Sequence, residues 1–524
     1  MSEPGKNPWL ALAALGLGFF MILLDTTIVN VAVPSISDAL HSSLEQILWV
    51  INAYVLVYAV LLITGGRLGD LFGLRTLFVI GLAVFTAASA VCGLAQDTTQ
   101  LVAARIIQGI GGALLTPQTL AVLTTLFPPE RRATAFGVWG AIAGIAAVTG
   151  PTLGGFLVTS FSWRWIFYVN VPIGVVALVA TMMLVPDIRP HRRQSLDVIG
   201  VLLATLGLVG IVFGLIEGQR YEWGSIWGPL AIPHVIIAGL LVLVLFGLWE
   251  RTRTEPLLPL PMLGNRNFLV MNGVGAAISF AVLGMFLPLV IYLQSALGMT
   301  ALEAGLTIAP MPLASMVSAP TAGRLADRFG GKYVLLCGLL LYALGFGVVI
   351  WLAAPGSNRT IFIVPLVVAG LGNGAVYGPA AALAMRDVRR ELAGGASGLY
   401  NTTRQVGSVL GTAVVGAVLQ NRLATLFVPQ AVSAADQLSP PLRGPFIASF
   451  SNLAHAGVEV GRAAQGALVP LPTGSPELAA QVEALAHAVF AQVFVDAMRP
   501  TLAVPVAVVV LAALSCLAVR PRPV

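Results

Sequence analysis

From Trp9 onward the chain passes through one apolar stretch after another, each followed by a short polar or glycine-rich break. A helix rising 1.5 Å per residue needs about 20 apolar residues to cross the hydrocarbon of a bilayer. In hydrocarbon, only structures that satisfy their own backbone polar groups survive. The succession therefore predicts an all-α polytopic membrane protein. The expected spans are 9–34, 46–65, 76–95, 99–126, 134–158, 165–185, 196–216, 230–249, 268–293, 303–322, 333–353, 361–384, 396–419 and 499–519, fourteen transmembrane helices in all. Composition agrees: 57% of the 524 residues are hydrophobic and 10% charged, against roughly a quarter charged in soluble domains. The first run is too long for the core of a cleaved signal peptide and lacks a small-residue exit, so it reads as a retained helix. Cys92, Cys337 and Cys516 fall inside apolar runs, with no disulfide or metal-ligand spacing.

An even number of spans puts both termini on one side. With both in the cytoplasm, most of the 28 Lys and Arg residues fall on the cytoplasmic side, and the short outer loops hold only Arg164, Arg220 and Arg359. That asymmetry is the positive-inside pattern. It explains the sequence pI near 9.5 as topology and removes nucleic acid as a partner. The expected location is the cytoplasmic membrane, multi-pass. Most tryptophans sit near predicted span ends, and Trp139 lies inside one.

The chain also repeats itself. "GGRLGDLFGLR" (Gly65 to Arg75) returns as "AGRLADRFGGK" (Ala322 to Lys332). The first packet follows span 2 and the second follows span 10. A six-helix repeat would place the second after span 8, so two extra helices separate the halves. The expected organisation is an N-terminal six-helix bundle (1–186), a linker with two inserted helices (187–267) and a C-terminal six-helix bundle (268–524), with an extracytoplasmic loop at 420–498. Repeated bundles of this kind place substrate between them near mid-membrane. Residues 420–500 contain Ala-rich amphipathic helix, as in "PELAAQVEALAHAVFAQVFVDAMR". Three readings are open for them: a membrane-surface helix, a cap over the cavity, or a poorly ordered loop.

Two readings are open for the packets. Glycines Gly66, Gly73, Gly323 and Gly330 allow close backbone approach. Asp70 and Asp327 can meet an arginine or a helix N-terminus, whose dipole favours negative charge. With Arg67, Arg75, Arg324 and Lys332 they make a latch that opens at low cost. The plainer alternative is a tight turn with positive-inside arginines.

Ionisable groups deep in a span are costly and mark function. At 1.5 Å per residue Asp25 lies about 16 Å inside span 1, Arg105 about 9 Å inside span 4 and Arg404 about 12 Å inside span 13. Burial favours the neutral form of a carboxyl and a nearby cation favours the charged form. A site alternating between two aqueous faces can therefore load and release a proton, and Asp25 is the expected carrier. A static ion pair is the alternative. Arg404 either faces the cavity and takes an anionic group or satisfies backbone carbonyls.

The packets resemble the loop motif of the major facilitator superfamily, and fourteen spans with two inserted between the halves resemble its drug:proton antiporter branch. "LLDTTIVNVAVPSI" (Leu23 to Ile36) and "ARIIQGIGGALLTP" (Ala104 to Pro117) look like that branch's first- and fourth-helix motifs. "GVWGAIAGIAAVTGPTLGG" (Gly137 to Gly155) is similar to its fifth-helix antiporter motif, and "WRWIFYVNVPIG" (Trp163 to Gly174) to a further branch pattern. One position departs: Ala146 stands where the antiporter motif has glycine, so the pivot is expected to be stiffer. The resemblance implies a major facilitator fold, proton coupling at Asp25 and Arg105, and a pivot at Gly150, Pro151, Gly154 and Gly155.

The expected function is a proton-coupled antiporter exporting amphiphilic small molecules by alternating access, with a cavity drawn from Asn30, Gln108, Asn373, Tyr377, Tyr400 and Arg404. Two deep arginines against one deep aspartate favour neutral or anionic substrates. No P-loop is present, so the proton gradient supplies the energy, with no cofactor and no metal. The expected partners are substrate, protons and lipid, and the chain is expected to act as a monomer. An importer or uniporter is the alternative. A membrane-embedded enzyme or sensor would need a catalytic cluster, and the five histidines are scattered.

Overall fold

The computed structural model describes residues 7–42, 44–128, 130–187, 197–218, 220–221, 223–253, 262, 264–389, 392–456 and 476–519. The N-terminal half comprises α1 (Pro8–Leu40), α2 (Leu44–Phe72), α3 (Leu74–Leu94), α4 (Thr98–Leu126), α5 (Arg132–Ser160), and α6 (Trp165–Tyr168) running into α7 (Asn170–Leu184). Next come α8 (Val198–Glu217), a two-stranded hairpin (Ser225–Trp227 and Leu230–Ala231) and α9 (Ile232–Glu250). The C-terminal half holds α10 (Arg266–Ile291), α11 (Ala301–Ile308), α12 (Pro310–Phe329), α13 (Gly331–Leu352), α14 (Ile363–Ala384), α15 (Ala393–Ala435), α16 (Pro440–Ala456) and α17 (Pro476–Cys516).

Among the described residues, 12 helices are long and apolar enough to cross a membrane, and both inserted helices, α8 and α9, are among them. The other two expected spans fall on α5 and on α11–α12. The second packet's charges, Arg324, Asp327 and Arg328, lie in the last turns of α12 and dilute its hydropathy.

The halves meet along two seams, α2 against α15 and α5 against α12. No comparable packing joins α1 to α10 among the described residues. Contact is closest on the side that carries the packets. A Cβ built on Gly66 would lie 2.3 Å from the Gly394 carbonyl oxygen, and one on Gly323 would lie 2.5 Å from that of Ala133. These glycines let backbone meet backbone across the seams, and the packet side is shut. Gly66→Val should hold it ajar, because overpacking of this kind costs on the order of 1–3 kcal/mol. Cysteines placed at the packet-side ends of α2 and α15 should then cross-link about ten-fold more slowly, and an unchanged rate would contradict the packing.

The inserted pair is a tight hairpin: a Cβ on Gly239 would sit 2.8 Å from the Gly207 carbonyl oxygen. It leans on the α2–α15 seam, where Ala204 and Leu208 of α8 pack with Val60 and Ile63 of α2 and with Leu399 of α15. Trp249 at the end of α9 donates its indole N–H to Asp197, the N-cap of α8, at 2.9 Å.

Residues beyond 419 are described as helix on both sides of 457–475. α15 runs 43 residues without a break and α17 41, about 60 Å each at 1.5 Å per residue, twice the hydrocarbon thickness. The C-terminal turns of α15 and the N-terminal turns of α17 pack with α16 through Phe427, Phe446, Phe450, Phe490 and Phe494. The described part is thus a helical projection continuous with two spans, held by a buried aromatic core. Residues 457–475 lie outside the described residues.

Candidate functional site

Asp25 is fully buried midway along α1. Its Oδ2 meets Arg105 Nη1 at 2.5 Å. Its Oδ1 accepts from Gln108 Nε2 at 2.9 Å and from Asn170 Nδ2 at 3.1 Å. Arg105 and Gln108 are three residues apart on α4 and so share a helix face. The guanidinium also donates to Gln108 Oε1 at 2.8 Å and, through Nε, to the Val50 carbonyl at 3.1 Å. It lies 4.1 Å from the centroid of the Tyr54 ring. Asn170 donates further to Ser89 Oγ at 3.0 Å. A buried ion pair is tolerable only when extra hydrogen bonds replace the lost water, and here both partners have them. Gln108, expected in the cavity, is instead a member of this network. Asn170 was not anticipated; its signal was its place in "WRWIFYVNVPIG", where it opens α7.

The small-residue run of α5 lies against this site. A Cβ on Gly150 would fall 1.9 Å from Thr27 Oγ1, and one on Gly154 would fall 2.7 Å from Ile28. Both contacts are within three residues of Asp25, so α5 touches α1 backbone-close beside the carboxylate. A Cβ on Gly155 would meet nothing within 4 Å. Pro151 lies within α5, and its side chain is outside the described residues. Ala146 is fully buried.

The two packets perform matched tasks. Asp70 accepts from the backbone N–H of Gly394 at 2.8 Å and of Gly395 at 2.7 Å, at the start of α15. Asp327 accepts from Ala133 N at 3.0 Å, Thr134 N at 2.9 Å and Thr134 Oγ1 at 2.5 Å, at the start of α5. Each aspartate therefore caps a helix N-terminus of the opposite half, where unpaired N–H groups and the helix dipole favour an anion. The basic residues close the packets within their own halves: Arg75 donates to the Met182 carbonyl ending α7. Lys332 donates to the Leu517 and Val519 carbonyls ending α17, at 2.8 and 3.0 Å. Gly73 and Gly330 take φ of 102° and 91°, a region open chiefly to glycine. Arg67 is buried beside Asp70, and Arg324 is exposed. On the same side Asn267 ties Asp387 to the start of α10 at 3.0 Å. Burial pulls that carboxyl up, but the bond from Asn267 and the adjoining Arg386 outweigh it and hold Asp387 below the usual range.

Deep between the halves, Arg404 of α15 points among aromatic faces: Tyr377 (5.0 Å), Tyr400 (5.8 Å) and Trp139 (5.9 Å to the centroids). Trp139 in turn stacks on Phe19 of α1 at 4.3 Å. Asn373 donates to Ser315 Oγ at 3.2 Å. Asn30 is exposed and donates to the Thr26 carbonyl at 2.9 Å. A cavity of about 590 Å³ lies elsewhere, between Trp223 and the turns of α15 near Asn421 and Arg422. Among the described residues, no cluster of three or more His, Cys, Asp and Glu could hold a metal.

Two helical halves latched to each other, with a buried charge network in one and an aromatic-walled cation between them, have the architecture of a polytopic membrane transporter. The chain belongs to the Major Facilitator Superfamily, whose profile matches residues 15–412. It is 40% identical over 458 residues to an MFS-type transporter of uncharacterized function from Mycobacterium tuberculosis, covering 85% of this chain and 78% of that one. It is 36% identical over 422 residues to the tetracenomycin C resistance and export protein of Streptomyces glaucescens, covering 80% and 78%. The human organic anion transporter MFSD10 shares the fold, with a TM-score of 0.56 at 14% identity over 79% of this chain and 94% of that one.

Proposed function

We propose that the protein exports amphiphilic small molecules across the cytoplasmic membrane in exchange for protons, by alternating access. The observation that carries the reading is the Asp25–Arg105–Gln108–Asn170 network, a carboxyl group held deep in the membrane with every oxygen engaged. The export and resistance named for the Streptomyces glaucescens relative support the direction and the substrate class.

In this reading the packet side is cytoplasmic and both termini lie there. Fourteen helices cross, with α5 and α11–α12 as the two passes of lower hydropathy. The halves are 1–186 and 268–524, with the linker 187–267 between them, and a single chain suffices. The shut packet side makes the conformation outward-facing. A proton arriving from outside neutralises Asp25. Arg105 then keeps the Val50 carbonyl, Gln108 and the Tyr54 face but loses its counter-charge. The network loosens, α1 shifts on the Gly150–Gly154 run, and the latches at Asp70 and Asp327 release. Substrate enters from the cytoplasm or inner leaflet, the proton leaves inward, and the restored ion pair draws the halves back. The energy is the proton gradient, with no cofactor.

The test is accumulation of an amphiphilic dye in cells with and without the chain, with ATP held constant. A protonophore should abolish the difference between them; a difference that persists would exclude proton coupling. An epitope at either terminus should be reached by antibody only after permeabilisation, and labelling of intact cells would invert the topology.

A further inference from the structure

The deep charges do not balance. Asp25 and Arg105 neutralise each other, which leaves Arg404. Among the described residues no carboxylate lies within ion-pair distance of it, and its Nε is buried with no hydrogen-bond partner. What surrounds it is aromatic: Tyr377, with Tyr400 and Trp139, and Phe19 stacked behind Trp139. The residue as a whole is half-buried; ring faces compensate a partly desolvated cation only in part, and drawing a cation from water without a counter-charge is costly. The groups come from α1, α5, α14 and α15, so the place is shared by both halves.

We infer that Arg404 is the anchor for an anionic substrate: a flat aromatic amphiphile carrying one carboxylate. This rests on the reading of the protein as an exporter of amphiphiles. A guanidinium presents paired N–H donors that match a carboxylate in two-point geometry. The unpartnered Nε and the outer nitrogens are the donors available for it. Tyr377, half-buried, offers a face against which a flat ring body packs, backed by the fully buried Trp139 and Tyr400. The arriving anion supplies the counter-charge the site lacks. A lipophilic cation would instead meet like charge in low dielectric. Because the ring of contacts spans both halves, occupancy is felt at the seam that must open.

The test uses three matched probes: pyrenebutyrate, its neutral amide and the corresponding pyrenylbutylammonium. Binding of each to the purified full-length protein is measured by fluorescence for the wild type, Arg404→Gln and Arg404→Lys. The wild type should bind the carboxylate about ten-fold or more tighter than the amide, and the ammonium weakest, the scale expected for a charge-assisted bond. Arg404→Gln should level carboxylate and amide while keeping amide affinity, which also shows that the variant is folded. Arg404→Lys should restore part of the preference. Equal binding of carboxylate and amide by the wild type, no binding of the carboxylate, or a preference that survives Arg404→Gln would each overturn the assignment. The same probes in proteoliposomes separate it from the reading beneath it. A carboxylate preference with no transport under a pH gradient would support the anion site and sink proton antiport. Proton-driven transport of the ammonium without carboxylate preference would do the reverse.

Discussion

Asp25→Asn should reduce substrate transport driven by a pH gradient by about 100-fold, the upper range of a coupling free energy between two sites. Asparagine keeps the size of the side chain and an oxygen that can still accept from Gln108 or Asn170. It removes the group that takes and gives the proton, and it leaves Arg105 without its counter-charge. The measurement is uptake of labelled substrate into inverted vesicles with and without the gradient. A second readout separates coupling from collapse of the fold. Binding of substrate to the purified protein needs neither proton movement nor the return step and should persist in the variant. Loss of binding together with gradient-driven uptake would mean that Asp25 holds the bundle together and carries no proton; gradient-driven uptake at the wild-type rate would remove it from the mechanism altogether.

The second large effect is expected at the latches. Asp70 and Asp327 make two and three hydrogen bonds across opposite seams, and hydrogen bonds to charged groups contribute roughly 1.5–3 kcal/mol. Removing both carboxylates with Asp70→Ala and Asp327→Ala also strands the N–H groups of Gly394, Gly395, Ala133 and Thr134 whenever the packet side closes. The sites sit on separate seams and share no partner, so their effects should add. The population should move toward the inward-open state by about 100-fold or more. Spin labels on the packet-side ends of α2 and α15, and of α5 and α12, should report longer distances in the double variant. Distances matching the wild type would show that glycine packing alone keeps the side shut. Single variants should fall between, and Gly66→Val, which acts on the same closure sterically, should shift the distances the same way.

Much of this arrangement can be read from the residues, and the reasons differ by element. Spans show because hydrocarbon demands long apolar runs, and the inserted pair shows because the packets recur after eight helices instead of six. Asp25 and Arg105 show because isolated charge is rare in such runs. Asn170 does not: a neutral amide at the head of a helix looks like ordinary loop polarity, and only the fold brings it to Asp25. Gln108 is legible in part, since it stands three residues from Arg105, but whether that face turns to the cavity or to α1 depends on helix rotation. Trp139 is the one tryptophan that sits inside a predicted span, and that oddity marks its place beside Arg404. The aspartates of the packets are legible as charge, but their partners are backbone N–H groups some 190 to 325 residues away, and backbone donors carry no sequence signature. The outer projection was hidden for another reason. Its Ala-rich amphipathic pattern suits a membrane surface as well as a helix packed on its neighbours, and only the phenylalanine core of α15, α16 and α17 decides for packing.

The claim at the centre is that substrate and proton compete through the state of Asp25. It is tested most directly by adding an exported amphiphile to the purified protein in weakly buffered detergent and following proton release with a pH dye. The wild type should release about one proton per transporter on binding, and Asp25→Asn should bind the same compound and release none. Equal release from both proteins would place the exchanged proton on another group and contradict the account.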